Sequence, residues 1–234
     1  MKRNVCKCLV SFSLFCLSFS CTDAVAQNNW ANFGRYAQAN KELPVPTKKE
    51  KRVVFMGNSI TEGWVKEHPE FFTENNYIGR GISGQTSYQF LLRFREDVLK
   101  LKPALVVINA GTNDAAENGG GTYSEEVTLG NIISMVELAK ANKVKVVLTS
   151  VLPASSFGWN RKITDAADRI ASLNARIKEY AKKKRIPYVD YYKEMVSGTE
   201  RSLNPAYTKD GVHPTKEGYL VMEAIIKPVI DKAL

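Results

Sequence analysis

The fold of this chain is decided by the stretch Arg52-Val53-Val54-Phe55-Met56-Gly57-Asn58-Ser59-Ile60-Thr61, in which an apolar run ends abruptly in a glycine and a hydroxyl-bearing turn. Near-continuous apolar runs of this length are typical of strands buried on both faces of a parallel sheet. Similar runs occupy Ala104–Ala110, Val144–Val151 and Pro187–Tyr191, and another begins at Tyr77-Ile78. The sequence therefore predicts a sheet of about five parallel strands.

The segments between these runs carry apolar residues at helical spacing. The repeats are Leu129, Ile132, Ile133 and Val136; Ile163, Ala167, Ile170, Leu173 and Ile177; and Tyr219, Met222, Ile226 and Val229. Such spacing places the apolar side chains on one face of an amphipathic helix. Buried strands that alternate with amphipathic helices predict an α/β fold, with helices on both faces of a parallel sheet. In that architecture, chemistry collects at the carboxyl ends of the strands.

The first 26 residues have the pattern of a signal peptide. Three basic residues precede a largely apolar stretch, residues 9–20, and Ala24-Val25-Ala26 is a small-x-small cleavage site. The apolar stretch is shorter than the roughly 20 residues that cross a bilayer, which argues against a membrane-spanning helix. We therefore expect export to the periplasm or the extracellular space, and a mature chain that begins at Gln27.

A lipid anchor is the alternative for the same segment. Leu17-Ser18-Phe19-Ser20-Cys21 loosely resembles the processing box of a bacterial lipoprotein, and attachment at Cys21 would give an outer-membrane lipoprotein. The four cysteines of the chain all lie in this segment, at Cys6, Cys8, Cys16 and Cys21. Cleavage after Ala26 would leave no thiol, which excludes disulfides, cysteine nucleophiles and cysteine metal sites from the mature chain.

The remaining chain divides into a short polar segment and one domain. Residues 27–50 contain Pro44 and Pro46 and are predicted as an N-terminal surface segment, and residues 51–234 as the folded domain. The formal net charge is +9, and the densest basic run is Lys182-Lys183-Lys184-Arg185. Because this run ends a predicted helix and has no interleaved aromatic residues, we interpret it as a solvated helix end rather than a nucleic-acid site.

Ser59 is the first candidate functional residue. It lies in Gly57-Asn58-Ser59-Ile60-Thr61, directly after the first predicted strand, which would place its hydroxyl at a strand-to-helix turn. The amino terminus of a helix favours negative charge that develops nearby. A serine at this position is also a common N-cap residue, so the pentapeptide alone is an unspecific signal.

An aspartate and a histidine lie close together near the other end of the chain, in Asp210-Gly211-Val212-His213-Pro214. At this spacing a carboxylate can hold the imidazole in one tautomer while the second ring nitrogen faces a serine. The second histidine, His68, lies among polar residues and is predicted at the surface, with no metal-ligand set around it. Asp210 and His213 are therefore the candidate partners of a nucleophile.

Two further segments are candidates for donating hydrogen bonds to an oxyanion. Gly81-Ile82-Ser83-Gly84-Gln85-Thr86 contains glycines, whose backbone N–H groups can approach a ligand closely. Gly111-Thr112-Asn113-Asp114 directly follows a predicted strand, and the Asn113 amide can donate from there. Each segment is unspecific when it is taken alone.

Together and in this order, the four segments resemble the four sequence blocks of the SGNH (GDSL-like) hydrolases. The residues that match the family's serine, glycine, asparagine, histidine and triad aspartate are Ser59, Gly84, Asn113, His213 and Asp210. The resemblance implies the SGNH hydrolase fold, a three-layer α/β/α sandwich around a flavodoxin-like parallel sheet. One departure is Asn58, where the family usually has aspartate; it removes a charge but keeps a hydrogen-bonding side chain of the same shape.

The resemblance also implies a function, that of an exported serine esterase. Ser59 would attack the ester carbonyl, His213 would take its proton and Asp210 would orient the ring. The backbone N–H groups of Ser59 and Gly84 and the side chain of Asn113 would stabilise the oxyanion. We expect small acyl esters, and in particular acetyl esters of glycans, as substrates, and neither a cofactor nor a metal. The alternatives are a lysophospholipase or short-chain lipid esterase and, in another class, a non-catalytic glycan-binding protein.

A dinucleotide-binding protein is a further alternative. Gly79-Arg80-Gly81-Ile82-Ser83-Gly84 satisfies the fingerprint Gly-x-Gly-x-x-Gly. That fingerprint belongs after a strand, with an acidic residue at the end of the next strand to hold the ribose. The next predicted strand ends in Asn109, which makes this alternative the weaker one.

The loop Leu152–Arg161, which follows the run Val144–Val151, is predicted to overhang the carboxyl edge of the sheet. Phe157 and Trp159 are its candidates for substrate contact, by stacking on a sugar ring or by lining an acyl pocket. Packing of the loop itself explains either ring equally well. The glycine-rich segment Ala116–Thr122 is predicted as a rim of the site and does not match a phosphate-binding loop.

Overall fold

The predicted apolar runs form one sheet in the computed structural model, which describes residues 29–47 and 49–234. The strands of this sheet are β1 (Val53–Gly57), β2 (Tyr77–Gly81), β3 (Leu105–Ile108), β4 (Lys145–Thr149) and β5 (Tyr188–Val189). All are parallel, and they lie in the order β2-β1-β3-β4-β5. The predicted α/β fold with a parallel sheet is therefore confirmed.

The strand order creates a crevice at the carboxyl edge of the sheet, between β1 and β3. The chain leaves β1 to form β2 on one side and then crosses to β3 on the other, so that successive connections diverge there. Open parallel sheets bind their ligands at such a switch point. Ser59 follows β1 and Asn113 follows β3, so both predicted segments lie beside this crevice.

Helices lie between the strands along the chain. Their bounds are α1 Ala37–Glu42, α2 Ser59–Glu67, α3 Pro69–Thr73, α4 Ser87–Asp97, α5 Thr112–Ala115, α6 Glu125–Ala141, α7 Ala166–Lys184, α8 Tyr191–Met195 and α9 Lys216–Ala233. The helical spacings correctly predicted α6, α7 and α9, except that Ile163 lies in the loop ahead of α7. The basic run Lys182–Arg185 is exposed at the end of α7. The antiparallel pair β6 (Val196–Ser197) and β7 (Ser202–Leu203) was not predicted, because two-residue strands carry no periodic signal.

Two apolar layers, one on each face of the sheet, hold these elements together. Along β1 the side chains alternate between the layers: Val54 and Met56 pack with α4, α6 and α7, whereas Val53 and Phe55 pack with α2, α3 and α9. Each fully buried side chain of this kind contributes about 1.5–3 kcal/mol by leaving water. Because both faces of the sheet are covered, its strands are continuously apolar in sequence.

The N-terminal segment is attached to the domain by specific hydrogen bonds. The Tyr36 hydroxyl donates to the Gly81 carbonyl. The Asn40 amide donates to the Asp97 carboxylate at 2.7 Å and accepts from the Arg80 guanidinium at 2.8 Å. Residues 31–234 accordingly form one compact unit.

The predictions for the start of the chain fall outside the described residues. The signal peptide, its cleavage after Ala26 and the alternative lipid attachment at Cys21 all concern residues 1–28. From residue 29 onward, leaving out residue 48, no helix combines the length and the apolar character that crossing a membrane requires.

Candidate active site

Ser59 stands where β1 turns into α2. Asn58 caps this helix, because its side-chain oxygen accepts a hydrogen bond from the Ile60 N–H at 3.0 Å. Ser59 is the first residue of α2, so its hydroxyl lies at the helix end that favours negative charge. Asparagine caps a helix about as well as aspartate does, and the uncharged residue at position 58 is therefore compatible with the turn.

The structure brings three predicted side chains into one hydrogen-bonded chain. Oγ of Ser59 lies 2.8 Å from Nε2 of His213, although 154 residues separate them in sequence. Nδ1 of the same ring lies 2.6 Å from Oδ2 of Asp210. Carboxylate, imidazole and hydroxyl thus follow one another in the arrangement that activates a hydroxyl for attack on a carbonyl.

A short loop, residues 208–214, holds the aspartate and the histidine by bonds within itself. Oδ1 of Asp210 accepts the backbone N–H groups of Val212 and His213 at 2.9 and 2.8 Å. Thr208 donates its hydroxyl to the His213 carbonyl at 2.8 Å. Burial by itself raises the pKa of Asp210, but hydrogen bonds from His213 and Val212 outweigh it and lower the pKa to about 2. The carboxylate is therefore ionised near neutral pH.

The opposite side of the site is built from the segment after β2. Gly84 adopts a φ of +77°, in the left-handed region that favours glycine. A Cβ atom there would have no atom within 4 Å, so the backbone conformation, rather than packing, requires glycine. The Ser83 N–H and hydroxyl both donate to Oε2 of Glu62, at 2.8 and 2.6 Å. Glu62 thereby connects residues 81–86, which we call the glycine loop, to α2, the helix that begins with Ser59.

Glu62 is itself surrounded by donors. Its other oxygen, Oε1, accepts from Arg35 at 3.0 Å and from Lys66 at 3.1 Å. Burial raises the pKa of Glu62, but the hydrogen bonds from Ser83, Lys66 and Arg35 outweigh it and lower the pKa to about 2. Arg35 of the N-terminal segment is therefore connected to the glycine loop through Glu62.

Gln85 is anchored from two further directions. Its Nε2 donates to the Ala31 carbonyl at 2.9 Å, and its Oε1 accepts from Nε of Arg93. Arg93 is fully buried and also bonds the Asp97 carboxylate at 2.9 Å and the Gly57 carbonyl at 3.0 Å. One buried guanidinium thus connects the turn before Ser59 with the glycine loop.

Asn113 lies in α5, which follows β3, forms a third side of the site and is almost fully buried. Its Nδ2 donates to the Gln85 carbonyl at 2.9 Å, and its Oδ1 accepts from Asn118 at 3.0 Å. The neighbouring Asp114 carboxylate accepts the N–H of Ser87, the first residue of α4, at 3.0 Å. Burial raises the pKa of Asp114, and the bonds from Ser87 offset this only in part.

These walls surround a shallow cavity of about 300 Å³. Its lining residues are Ser59, Ser83, Gly84, Asn113, Asn118, Trp159 and His213. Trp159 supplies the large apolar wall; it is 48% exposed, and its ring centroid lies 6.1 Å from that of His213. The other lining residues are serines, asparagines, a glycine and a histidine.

Phe157, predicted together with Trp159 as a substrate contact, does not line this cavity. It is fully buried in the layer that contains α4, α6 and α7, and its ring packs 5.3 Å from that of Trp159. The prediction for Phe157 is therefore corrected: its ring supports Trp159 from the protein interior. The physical reason is that Phe157 has no polar atom to satisfy, whereas the Trp159 N–H bonds Asn118 at the surface.

The sequence-based predictions missed Glu62, Gln85 and Asn118 as members of the site. Most of their partners are distant in sequence, and only Asn118 carried a signal, as a polar amide inside the glycine-rich rim. His68 was placed at the surface, but it is half-buried, with Nδ1 2.7 Å from Glu223. No group of three metal-ligating side chains occurs within residues 29–47 and 49–234.

The glycines of the dinucleotide fingerprint serve packing instead. Gly79 and Gly81 lie within β2 rather than after it. A Cβ atom at Gly79 would lie 2.3 Å from a methyl group of Val65, and one at Gly81 would lie 2.3 Å from the Glu62 backbone nitrogen. Both glycines therefore let α2 pack closely on β2, which removes the basis of that alternative.

The chain resembles known proteins over most of its length. The sequence profile of the GDSL-like Lipase/Acylhydrolase family matches residues 55–221. The crystal structure of a GDSL-like lipase from Bacteroides thetaiotaomicron is 69% identical in sequence, and the similarity covers 87% of this chain and 99% of that one, with a TM-score of 0.86. The fold and the order of its elements are therefore shared with a solved structure.

Two more distant relatives are esterases by name. Esterase TesA from Pseudomonas aeruginosa is 26% identical over 163 residues, which cover 68% of this chain and 73% of that protein. Acetylxylan esterase from Xylanibacter ruminicola is 25% identical over 224 residues, which cover 81% of this chain and 45% of that protein. These similarities favour an enzyme over a non-catalytic glycan-binding protein. The chain belongs to the GDSL-like lipase/acylhydrolase family and is an ester hydrolase.

Proposed function

We propose that this ester hydrolase removes small acyl groups, acetyl groups in particular, from glycans. The observation that carries the proposal is the hydrogen-bonded chain of Ser59, His213 and Asp210, which opens onto a small, shallow cavity of about 300 Å³. A cavity of this size suits a short acyl group, because a long hydrocarbon chain needs a longer and deeper apolar groove.

The proposed reaction proceeds through an acyl-enzyme. Oγ of Ser59 attacks the ester carbonyl carbon as His213 takes the hydroxyl proton at Nε2. His213 then returns this proton to the departing alcohol, and Asp210 stabilises the charged ring in between. A water molecule, deprotonated by the same nitrogen, then attacks the acyl carbon; the bond to Oγ breaks, His213 returns the proton to Ser59, and the acid leaves.

The oxyanion of each tetrahedral intermediate receives three donors in this proposal. Two are the backbone N–H groups of Ser59 and Gly84, and the third is Nδ2 of Asn113. One N–H of that amide bonds Gln85, and the other has no partner within the described part of the chain, so it is available to the substrate. A donor aimed at developing charge is worth about 3 kcal/mol.

The surroundings of the site support a polar alcohol group. A second cleft of about 520 Å³ shares His213 with the first cavity, and its lining includes Asp210 and the charged side chains of Glu67, Lys209 and Lys216. The exposed ring of Trp159 offers a stacking surface for a sugar. The name of the Xylanibacter ruminicola relative, an acetylxylan esterase, supports the same substrate class.

A substrate panel tests the proposal. Hydrolysis rates are measured on 4-nitrophenyl acetate, 4-nitrophenyl octanoate, acetylated xylan and lysophosphatidylcholine, with the wild-type protein and with Ser59→Ala. We expect the acetyl esters to be preferred and Ser59→Ala to lose about 10⁶-fold in kcat, as other serine hydrolases do. Preference for lysophosphatidylcholine would support the lipid esterase instead, and full activity of Ser59→Ala would refute the proposed nucleophile.

We also infer that the enzyme is exported, with the signal peptide removed after Ala26. The supporting observation is the basic, apolar and small-residue order of the first 26 residues. Mass spectrometry of protein purified from the native cell envelope and medium is expected to give a chain that starts at Gln27. A lipid-modified chain that starts at Cys21 would show that the lipoprotein alternative is correct.

A further inference from the structure

Three side chains at the edge of the cavity form a directional relay of hydrogen bonds. Nε1 of Trp159 donates to Oδ1 of Asn118 at 2.8 Å. Nδ2 of Asn118 donates to Oδ1 of Asn113 at 3.0 Å, and Nδ2 of Asn113 donates to the Gln85 carbonyl at 2.9 Å. Each of the two asparagine amides thus accepts a bond at its oxygen and donates one from its nitrogen, so the relay runs in one direction from Trp159 to Gln85.

Both ends of the relay are chemically unambiguous. An indole nitrogen can only donate, and a backbone carbonyl can only accept. If the Asn118 amide were rotated by half a turn, its NH₂ group would face the indole N–H; if the Asn113 amide were rotated, its oxygen would face the Gln85 carbonyl. The network itself therefore sets the orientation of both amides.

Asn118 is held firmly enough to set that orientation. It lies on a tight turn, where Glu117 has a φ of 57° and the two glycines that follow have φ of 80° and 81°. The Glu117 carboxylate accepts from Arg169 at 2.9 Å and from the Tyr123 N–H at 3.3 Å. Asn118 also donates to the Gly84 carbonyl at 3.3 Å. It thus contacts the glycine loop, Asn113 and Trp159 at once.

The geometry points to Asn118 as a positioning residue that keeps the N–H face of Asn113 turned toward the oxyanion and couples it to the Trp159 wall. This inference rests on the proposed oxyanion role of Asn113. Two of the three proposed donors are backbone N–H groups, whose directions the main chain fixes. The third is a side-chain amide, whose terminal torsion has two broad minima, so only this donor needs a partner to select the productive one.

The test compares Asn118→Asp with a control variant, Asn160→Ala, that loosens the loop of Asn118 from a neighbouring loop. Asn118→Asp keeps an acceptor for Trp159 but puts a carboxylate oxygen against Oδ1 of Asn113, which favours the rotated amide. We expect kcat on 4-nitrophenyl acetate to fall about 10- to 100-fold, within the loss caused by removing one oxyanion donor, with little change in KM. Asn160→Ala removes a different anchor of the loop, the 2.9 Å bond to the Ala116 carbonyl, and is expected to keep kcat within about threefold.

A double-mutant cycle separates orientation from general damage. In an Asn113→Ala background, Asn118→Asp is expected to cause no further loss of kcat, because the amide that it orients is gone. Trp159→Phe, which keeps a ring but loses the N–H, is expected to show a weaker effect of the same kind. Thermal unfolding of each variant identifies any that fail to fold, and Asn118→Ser then replaces Asn118→Asp.

Three results would overturn the inference: wild-type kcat in folded Asn118→Asp, losses that multiply fully with Asn113→Ala, or an equal loss in Asn160→Ala. The proposed function fails separately, through an active Ser59→Ala or an unaffected Asn113→Ala. A normal Asn118→Asp beside an impaired Asn113→Ala therefore counts against the positioning role alone.

Discussion

The two sides of the active site are built in different ways. On the base side, residues 208–214 hold Asp210 and His213 through bonds between residues two to five positions apart, and both side chains are more than a third exposed. On the oxyanion side, Gln85 and Asn113 are buried and bond partners 54 and 28 residues away. A tight loop thus positions one half of the machinery, and the packed interior positions the other half.

This difference determines how damage is expected to spread. A change in residues 208–214 alters a few hydrogen bonds at the surface and leaves the sheet and its two apolar layers intact. A change on the oxyanion side acts through Arg93 and Gln85, which also hold the turn before Ser59. Measuring both the activity and the thermal stability of variants on each side therefore tests this difference.

The largest effect is expected for the base side. Asp210→Asn should reduce kcat about 10⁴-fold, because an asparagine that keeps its oxygen toward the Val212 and His213 N–H groups presents an N–H to the ring and imposes the wrong tautomer. The measurement is kcat on 4-nitrophenyl acetate together with thermal unfolding at neutral pH. Thr208→Val, which removes a neighbouring bond of the loop, serves as the mild control, and a variant Asp210→Asn with near-normal kcat would contradict the assignment.

An intermediate effect is expected for the oxyanion side. Asn113→Ala should cost about 3 kcal/mol of transition-state stabilisation, or about 10²- to 10³-fold in kcat. Asn131→Ala is the matched control, since Asn131 bonds the Ser87 hydroxyl of the same buried network without lining the cavity. If both variants lost activity equally, loosening of the network, rather than loss of a donor, would be the cause.

The smallest effect is expected in acid, where both sides depend on a carboxylate. Folding lowers the pKa of Glu62 from 4.5 and that of Asp210 from 3.8, in each case to about 2. Each ionised group therefore stabilises the fold fully above its unfolded pKa, and this contribution is lost as the pH falls toward 2. In Glu62→Gln, the drop in Tm between pH 5 and pH 2, measured by circular dichroism, is expected to be several degrees smaller than in the wild-type protein. An unchanged slope would show that the bonds to Ser83, Lys66 and Arg35 do not stabilise the charged form.

Two aromatic residues of one loop show that the sequence did not predict which ring would be buried and which exposed. Phe157 and Trp159 lie two positions apart and are equally plausible substrate contacts in sequence, yet Phe157 is fully buried and Trp159 is about half exposed. The short helices α1 and α8 and the pair β6–β7 escaped prediction as well, because they are too short to show a period.

The sequence by itself determined the features that depend on residues close together in the chain. These are the buried strands, the long amphipathic helices, and the pairing of Asp210 with His213 three residues away. The four-segment resemblance extended this to the candidate roles of Ser59, Gly84 and Asn113. Only the tertiary structure decided that Glu62, Gln85 and Asn118 join them. Their hydrogen bonds with Ser83, Ala31 and Trp159 span 21, 54 and 41 residues. Such pairings leave no local pattern, because the packing of the whole sheet, and not the adjacent residues, brings the partners together.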